Sequence, residues 1–398
     1  MSGLTNGQAY FVVNRTATSF QLSNTPNGTP IAFSNGGLTG GHHTFAVEGI
    51  DLTSAGSGSQ DLVLDINSGL NSADSFSGVG GAIGVTGAPS GDDTVTASTT
   101  GTAGGLIQVS SSDATASQTV TTNLNVLGGA NLTATNINVE TDSVLSVSAT
   151  SDGGGGGGIA IGAGTTSTTG IHHTKLTIGS DAELNASNDI LVSADGDTTV
   201  TGRAITGSYG LGAGADATSN VYLDYDVKTL VNGNLTAGNL LTVESRGYAN
   251  GDAYTKVDAG GFGVGANTYS HVRIGTSGEE TALTRTEIQG NADLIGNQVV
   301  IGAYVDKVRG NAYAETDVTA AGADCDADAD SYITSLNEVR LLDSSKIIGN
   351  EKITIDSRYL ATSNYARSDA DLGAVGGSTD SDADVNLNTR AKVEGYWE

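Results

Sequence analysis

Cysteine is almost missing from this chain, with Cys325 the only one in 398 residues. An intramolecular disulfide framework is excluded, and stability has to come from packing or from the stacking of repeats. Proline occurs three times, and no stretch sustains apolar residues at i, i+3, i+4 and i+7, so nothing reads as a helix. Aromatic residues make up 5% while glycine reaches 58 positions, which leaves too few large side chains for several thick cores. No run of 18 apolar residues exists, so no helical membrane span is expected. Bases are scarce as well: 17 stand against 44 acids, for a net charge of −27. That balance argues against nucleic acid, whose binding needs clustered Lys and Arg, and it permits divalent cations and cationic surfaces. Residues 1–130 hold one base, Arg15, and eight acids. The start at Met1 lacks the charged and apolar regions of a signal peptide, and no terminal signal is recognisable at Trp397, so the chain reads as a segment of something larger.

What is present is alternation. From Ala249 to Ala259 every second residue is small or apolar, and Asn250, Asp252, Tyr254, Lys256 and Asp258 stand between them. This is a strand with one packed face. After Gly260 and Gly261 the pattern resumes in shifted phase, with Phe262, Val264, Ala266, Thr268, Ser270, Val272 and Ile274 expected inward and Asn267, Tyr269, His271 and Arg273 outward. Two such runs hinged on a glycine pair read as a long hairpin, with glycine supplying the positive φ of a primed turn.

This unit recurs. Leu132, Leu184, Leu235, Leu294 and Ile347 open similar anchors at spacings of 52, 51, 59 and 53 residues. Each anchor is a short strand, an Asn-containing turn (Asn136, Asn188, Asn239, Asn297, Asn350) and a second short strand, the Asn being read as a left-handed residue. The glycine turns between anchors fall at Gly153 to Gly158, Gly210, Gly260, Gly322 and Gly376. Strands, glycine turns and a fixed long period predict an all-β chain, a β-solenoid or β-helix repeat array over 131–398. Before it, 67–130 reads as Gly/Ser/Thr-rich β coils or linker, and 1–66 as a small N-terminal β module with strands over 8–14, 19–23, 29–33, 43–47 and 62–66.

The alternating Ala/Gly strands around the Gly260 turn, with Asn188 to Ala194 and Asn239 to Ser245 after the anchors, resemble repeats of large bacterial surface adhesins of the filamentous-haemagglutinin-like kind. The stretch Gly3 to Val13 is similar to short β modules of giant adhesins and some phage structural proteins. The resemblance implies a secreted or surface-displayed β-helical rod used in adhesion or matrix building. It carries over no catalytic residue.

An acidic ladder is the first candidate site. Asp324, Asp326, Asp328 and Asp330 alternate with small residues and share one face at about 7 Å spacing. Asp380, Asp382 and Asp384 occupy the equivalent strand one repeat later, with Asp216 and Asn267 at the corresponding place earlier. Stacked in register, these acids lie about 5 Å apart, where calcium bridging would relieve their repulsion. The bland alternative is a solvated acidic face that keeps the array soluble. Outward Tyr248, Tyr254, Tyr269, Tyr313 and Tyr332 could hold sugar rings or a neighbouring molecule, or simply pack between coils. The pairs His42, His43 and His172, His173 cannot chelate one ion, because neighbours on a strand point to opposite faces. Cys325 sits in the inward register as an apolar filler, and Gly153 to Gly158 is followed by neither Lys nor a helix, so it is no phosphate loop.

The expected function is structural and adhesive: an extracellular segment of a bacterial cell-surface or matrix fibre, a homo-oligomer or filament, and not an enzyme. A calcium-dependent glycan-binding module, with surface glycans as partners, is the alternative.

Overall fold

The computed structural model describes residues 11–13, 21–23, 29–30, 51–53, 62–65, 75–77, 82–86, 93–276 and 282–395. The chain divides into two units, Met1–Asp51 and Leu52–Glu398. In the first, β1 (Phe11–Val13) pairs antiparallel with β2 (Gln21–Ser23), and Thr29 and Pro30 lie outside any strand. The expected strand over 43–47 and the pair His42, His43 fall outside the described residues.

The remaining strands are β3 (Asp51–Thr53), β4 (Leu62–Asp65), β5 (Ser75–Ser77), β6 (Ala82–Thr86), β7 (Asp93–Val126), β8 (Asn131–Ala134), β9 (Asn136–Ile178), β10 (Glu183–Ala186), β11 (Ile190–Val231), β12 (Asn234–Ala237), β13 (Leu240–Ile274), β14 (Leu283–Ile288), β15 (Asp293–Leu341), β16 (Lys346–Tyr359) and β17 (Thr362–Gly395). Among the described residues there is no helix, and every pairing from β4 onward is parallel. The sheet is the β-solenoid that the period predicts. Six coils stack in register: β5 to β7, β8 and β9, β10 and β11, β12 to β14, β15, then β16 and β17. Leu132, Leu184, Leu235, Leu294 and Ile347 lie one over the next, the four leucines fully buried.

The long alternating runs are not hairpins. Each is one coil: an outbound limb, a glycine tip and a return limb, all hydrogen-bonded to the coils above and below. The inward side chains of the two limbs meet instead. Ser270 Oγ donates to the Ala253 carbonyl (2.8 Å) and Thr316 Oγ1 to the Asp326 carbonyl (2.9 Å), each bridging outbound and return limbs of one coil. Glycine is needed at the tip for space rather than for a primed turn: neither Gly260 nor Gly261 has positive φ, and a Cβ on Gly261 would collide with the Gly210 carbonyl of the coil below. The thin core between limbs is alanine, valine and Cys325, as in the cluster Ala204, Ala215, Val257, Ala266, Val318 and Cys325.

Three local expectations are corrected. Phe262 is 71% exposed because the tip turns its side chain outward before the inward phase begins at Val264. The anchor asparagines are not left-handed; they form a ladder, with Asn188 Nδ2 donating to Asn136 Oδ1 (2.9 Å) and Asn239 Nδ2 to Asp189 Oδ1 (2.8 Å). Positive φ falls instead at the corners before β8, β10, β15 and β16, at Gly129, Asp181, Asn291 and Ser344. The 59-residue spacing has its cause in the fourth coil, where the chain leaves the ladder after Ile274 and rejoins it at Leu283. The fully buried Tyr225 of the third coil uses that break, and its hydroxyl reaches Ser335 Oγ of the fifth coil at 2.7 Å.

Leu184 is covered above and below by Leu235 and Leu132. Leu184→Ala should therefore cost about 3 kcal/mol, as a cavity that neighbouring coils cannot close. Urea unfolding followed by far-ultraviolet dichroism checks this, and an unchanged midpoint would show that the column does not hold the coils together.

Candidate functional site

The limbs give the coil two outer faces, and the parallel register decides what stands on each. On the outbound face, Arg203, Tyr254, Tyr313 and Arg367 form one column. The two rings stack at 5.4 Å between centroids, with Arg203 4.9 Å from the Tyr254 centroid and Arg367 5.3 Å from that of Tyr313. A parallel column runs Asp195, Arg246, Tyr304, Arg358, with both guanidinium groups 5.3 Å from the Tyr304 ring. Lys256 bridges to Glu315 (2.7 Å) and Asp317 (3.0 Å) one coil on, and Lys307 lies 5.9 Å from the Tyr248 centroid. Each cation–π contact at such half-exposed sites is worth about 0.5–1 kcal/mol, so these columns lock coil to coil.

The return face carries the acids. Asp326 lies under Asp380, Asp328 under Asp382 and Asp330 under Asp384, while Asp324 faces Ser378, whose hydroxyl donates to its carboxylate. Asn267, Tyr269 and His271 precede Asp326, Asp328 and Asp330 in the same columns. Tyr269 donates to Asp330 Oδ2 at 3.0 Å, and burial and this bond push its phenol up to about 12. The Tyr269 and Tyr332 rings flank His271, at 6.0 and 5.5 Å. Burial lowers the His271 pKa although Asp330 opposes it. Asp328 is pushed up, by burial first and then by Asp382 and its other acidic neighbours. A shallow cleft beside the ladder is lined by His271, Arg273, Tyr332, Thr334, Asn386 and Asn388.

The seven expected acids thus come together, and Tyr269 and Tyr332 stand next to them. Tyr248, Tyr254 and Tyr313 belong to the other face, so the five tyrosines are two groups. Among the described residues, no three His, Cys, Asp or Glu side chains converge as a metal cage. His172 and His173 do point to opposite faces: His172 is fully buried, its Nε2 2.8 Å from Ser143 Oγ and its Nδ1 2.9 Å from Thr198 Oγ1, and burial lowers its pKa to about 4. It is a neutral, hydrogen-bonded core residue. Cys325 is buried among alanines, and burial raises its thiol pKa.

No family model, curated protein or solved structure matches this chain.

Two features escaped the sequence reading. The paired arginines of the outbound columns were legible only through register, since each lies a full coil from its tyrosine. The second is an apolar tip: Leu106, Leu211, Phe262 and Val375, at 71–95% exposure, each lie next to a tip glycine. The signal was present, one large apolar residue beside the glycines in coil after coil.

Asp195 offers a pH test. Burial, then repulsion from Asp197, Asp142 and Asp306, raises it to about 7, with Arg246 opposing. A carboxyl whose folded pKa exceeds its unfolded value costs stability as pH rises from about 4 to about 7, because only the unfolded chain releases the proton. Asp195→Asn should leave the melting temperature near pH 4 little changed and raise it by several degrees at pH 8. Equal shifts at both pH values would refute the assignment.

Proposed function

We propose that this chain is an extracellular structural and adhesive element, a β-solenoid segment of a bacterial surface or matrix assembly that works through its two outer faces. The observation that carries this reading is the parallel stacking of six coils, in register over most of their length, with side-chain columns devoted to joining coil to coil. Thr, Asn, Asp and Tyr on the outer faces then set what the element touches. Geometry also limits how it grows. At about 4.8 Å per coil the stack rises roughly 30 Å, whereas a limb of about 20 residues spans roughly 65 Å. The stack is a blade, wider than it is high. Filament growth by a further coil has an open edge at β17, which among the described residues pairs with β15 alone. At the other end β4 already lies on β6, in the layer a stacked β16 would need, so full in-register addition there requires β4 to be displaced.

A second reading is favoured by one observation. The columns Asp326–Asp380, Asp328–Asp382 and Asp330–Asp384 place three like-charge pairs side by side on one face, and no Lys or Arg stands in any of these columns. Calcium held by these carboxylates, beside the cleft at Tyr332, would make the return face a glycan-binding surface.

Electron microscopy of the purified chain with calcium and with chelator separates the readings. Blades or assemblies of unchanged form in both conditions are expected from the structural reading. Calcium-dependent assembly or glycan binding, lost when Asp326, Asp328 and Asp382 become Asn, would transfer the function to the acidic ladder. A compact particle without a roughly 65 Å edge would overturn the structural reading.

A further inference from the structure

The return face near the tip pairs bulk with its absence. In the first two coils Ile107, Val109, Ile159 and Ile161 point outward and are 46–71% exposed. In the next two coils the same columns hold Gly212, Gly214, Gly263 and Gly265. A Cβ on Gly212, Gly263 or Gly265 would meet nothing within 4 Å. Four exposed apolar knobs therefore adjoin a bare floor of the same area, edged by Leu211 and Phe262. An exposed apolar patch of this kind marks an interaction surface.

We infer that the occupant of this surface is a second copy of the chain, related by a two-fold axis that runs along the strands between the second and third coils. Rotation about that axis keeps each column in place and exchanges coil two with coil three and coil one with coil four. Ile159 and Ile161 then face Gly212 and Gly214 of the other copy, and Ile107 and Val109 face Gly263 and Gly265. A contact in which each patch meets itself is the ordinary geometry of a closed dimer. The match continues away from the tip with the sizes reversed: Thr115 and Ser117 of the first coil face the bulky His271 and Arg273 of the fourth. Charge favours the same partner. The two columns of the knobs and the glycine floor carry no charge through the first four coils; Asp113 and Asp216 stand in the next two columns, and the run of acids begins at Asp324 in the fifth coil. The rotation carries the two acidic ladders to opposite ends of the pair, past the first coil of the partner, so a molecule of net charge −27 can associate here without setting ladder against ladder.

This contact deepens the self-association part of the proposed function and rests on it, but it is tested separately. The mass of the intact chain in solution is measured by sedimentation against concentration. A dimer of the 39.8 kDa chain is expected. Gly263→Leu and Gly212→Leu each have room in the monomer and should weaken dimerisation at least tenfold; Asp326→Asn on the acidic ladder should not. Ile159→Gly should weaken it as well. Combining Ile159→Gly with Gly212→Leu reverses knob and hole, and should restore most of the affinity. A wild-type chain that stays monomeric, or a double variant no better than the single ones, overturns the contact. Monomeric blades of unchanged form in the microscope would then leave the structural reading standing, whereas loss of the blade itself would remove both.

Discussion

Everything in this fold depends on the parallel register, which sets each residue over its own equivalent in the coil below. Along 93–126 and its successors the ladder runs through six coils with single-residue irregularities near Gly247 and Gly296 and one longer break after Ile274. Stacking of this kind repeats every choice of side chain at about 4.8 Å. An apolar residue at one column is rewarded in each coil, which is why Leu132, Leu184, Leu235 and Leu294 are buried. A charge is penalised in each coil unless the column alternates.

The columns show how that penalty is met. Glu287, Arg340 and Glu394 alternate in sign, and the buried Glu338 is bonded by Arg285 at 2.5 Å with Arg340 3.6 Å away. On the outbound face, rings separate like charges: Arg203 and Arg367 are two coils of tyrosine apart. Aromatic faces accept a cation on each side, so an Arg–Tyr–Tyr–Arg column is attractive at every step where four stacked arginines would repel. The outbound acidic column Asp258–Asp317–Asp371 is bridged at Asp317 by Lys256, whereas the return-face acids of the last two coils form three adjacent like-charge columns that contain no Lys or Arg, which is what marks them out as a candidate site.

The all-β class and the solenoid were readable because alternation and a long period survive in a single sequence. The inward and outward assignment around Gly260 held for every residue quoted except Phe262, since strand parity is a local property. What the sequence concealed was anything defined by which coil meets which. A glycine pair between two alternating runs is the same string whether the runs pair with each other or with the coils above and below, and only stacking distinguishes them. The arginine–tyrosine columns, the split of the five tyrosines between two faces, and the role of Tyr225 in bridging the break after Ile274 are all contacts across more than 50 residues. The acidic ladder was visible because its members stand at equal offsets from the tip glycines Gly322 and Gly376 of consecutive coils.

The proportions of the stack bear on what such an element can do. A coil of roughly 170 Å contour adds only about 4.8 Å of height, so length is an inefficient use of this chain. Area is what it makes: two broad faces, one cross-linked by cations and rings, the other divided between hydroxyls, an apolar patch and acids. Stiffness follows from the same division, because bending the blade across its coils would have to stretch ladder hydrogen bonds along both limbs at once, and these act in parallel. A surface held this flat favours partners that are themselves flat and repetitive, and the patch of isoleucines beside glycines presents the shape that a second blade offers back.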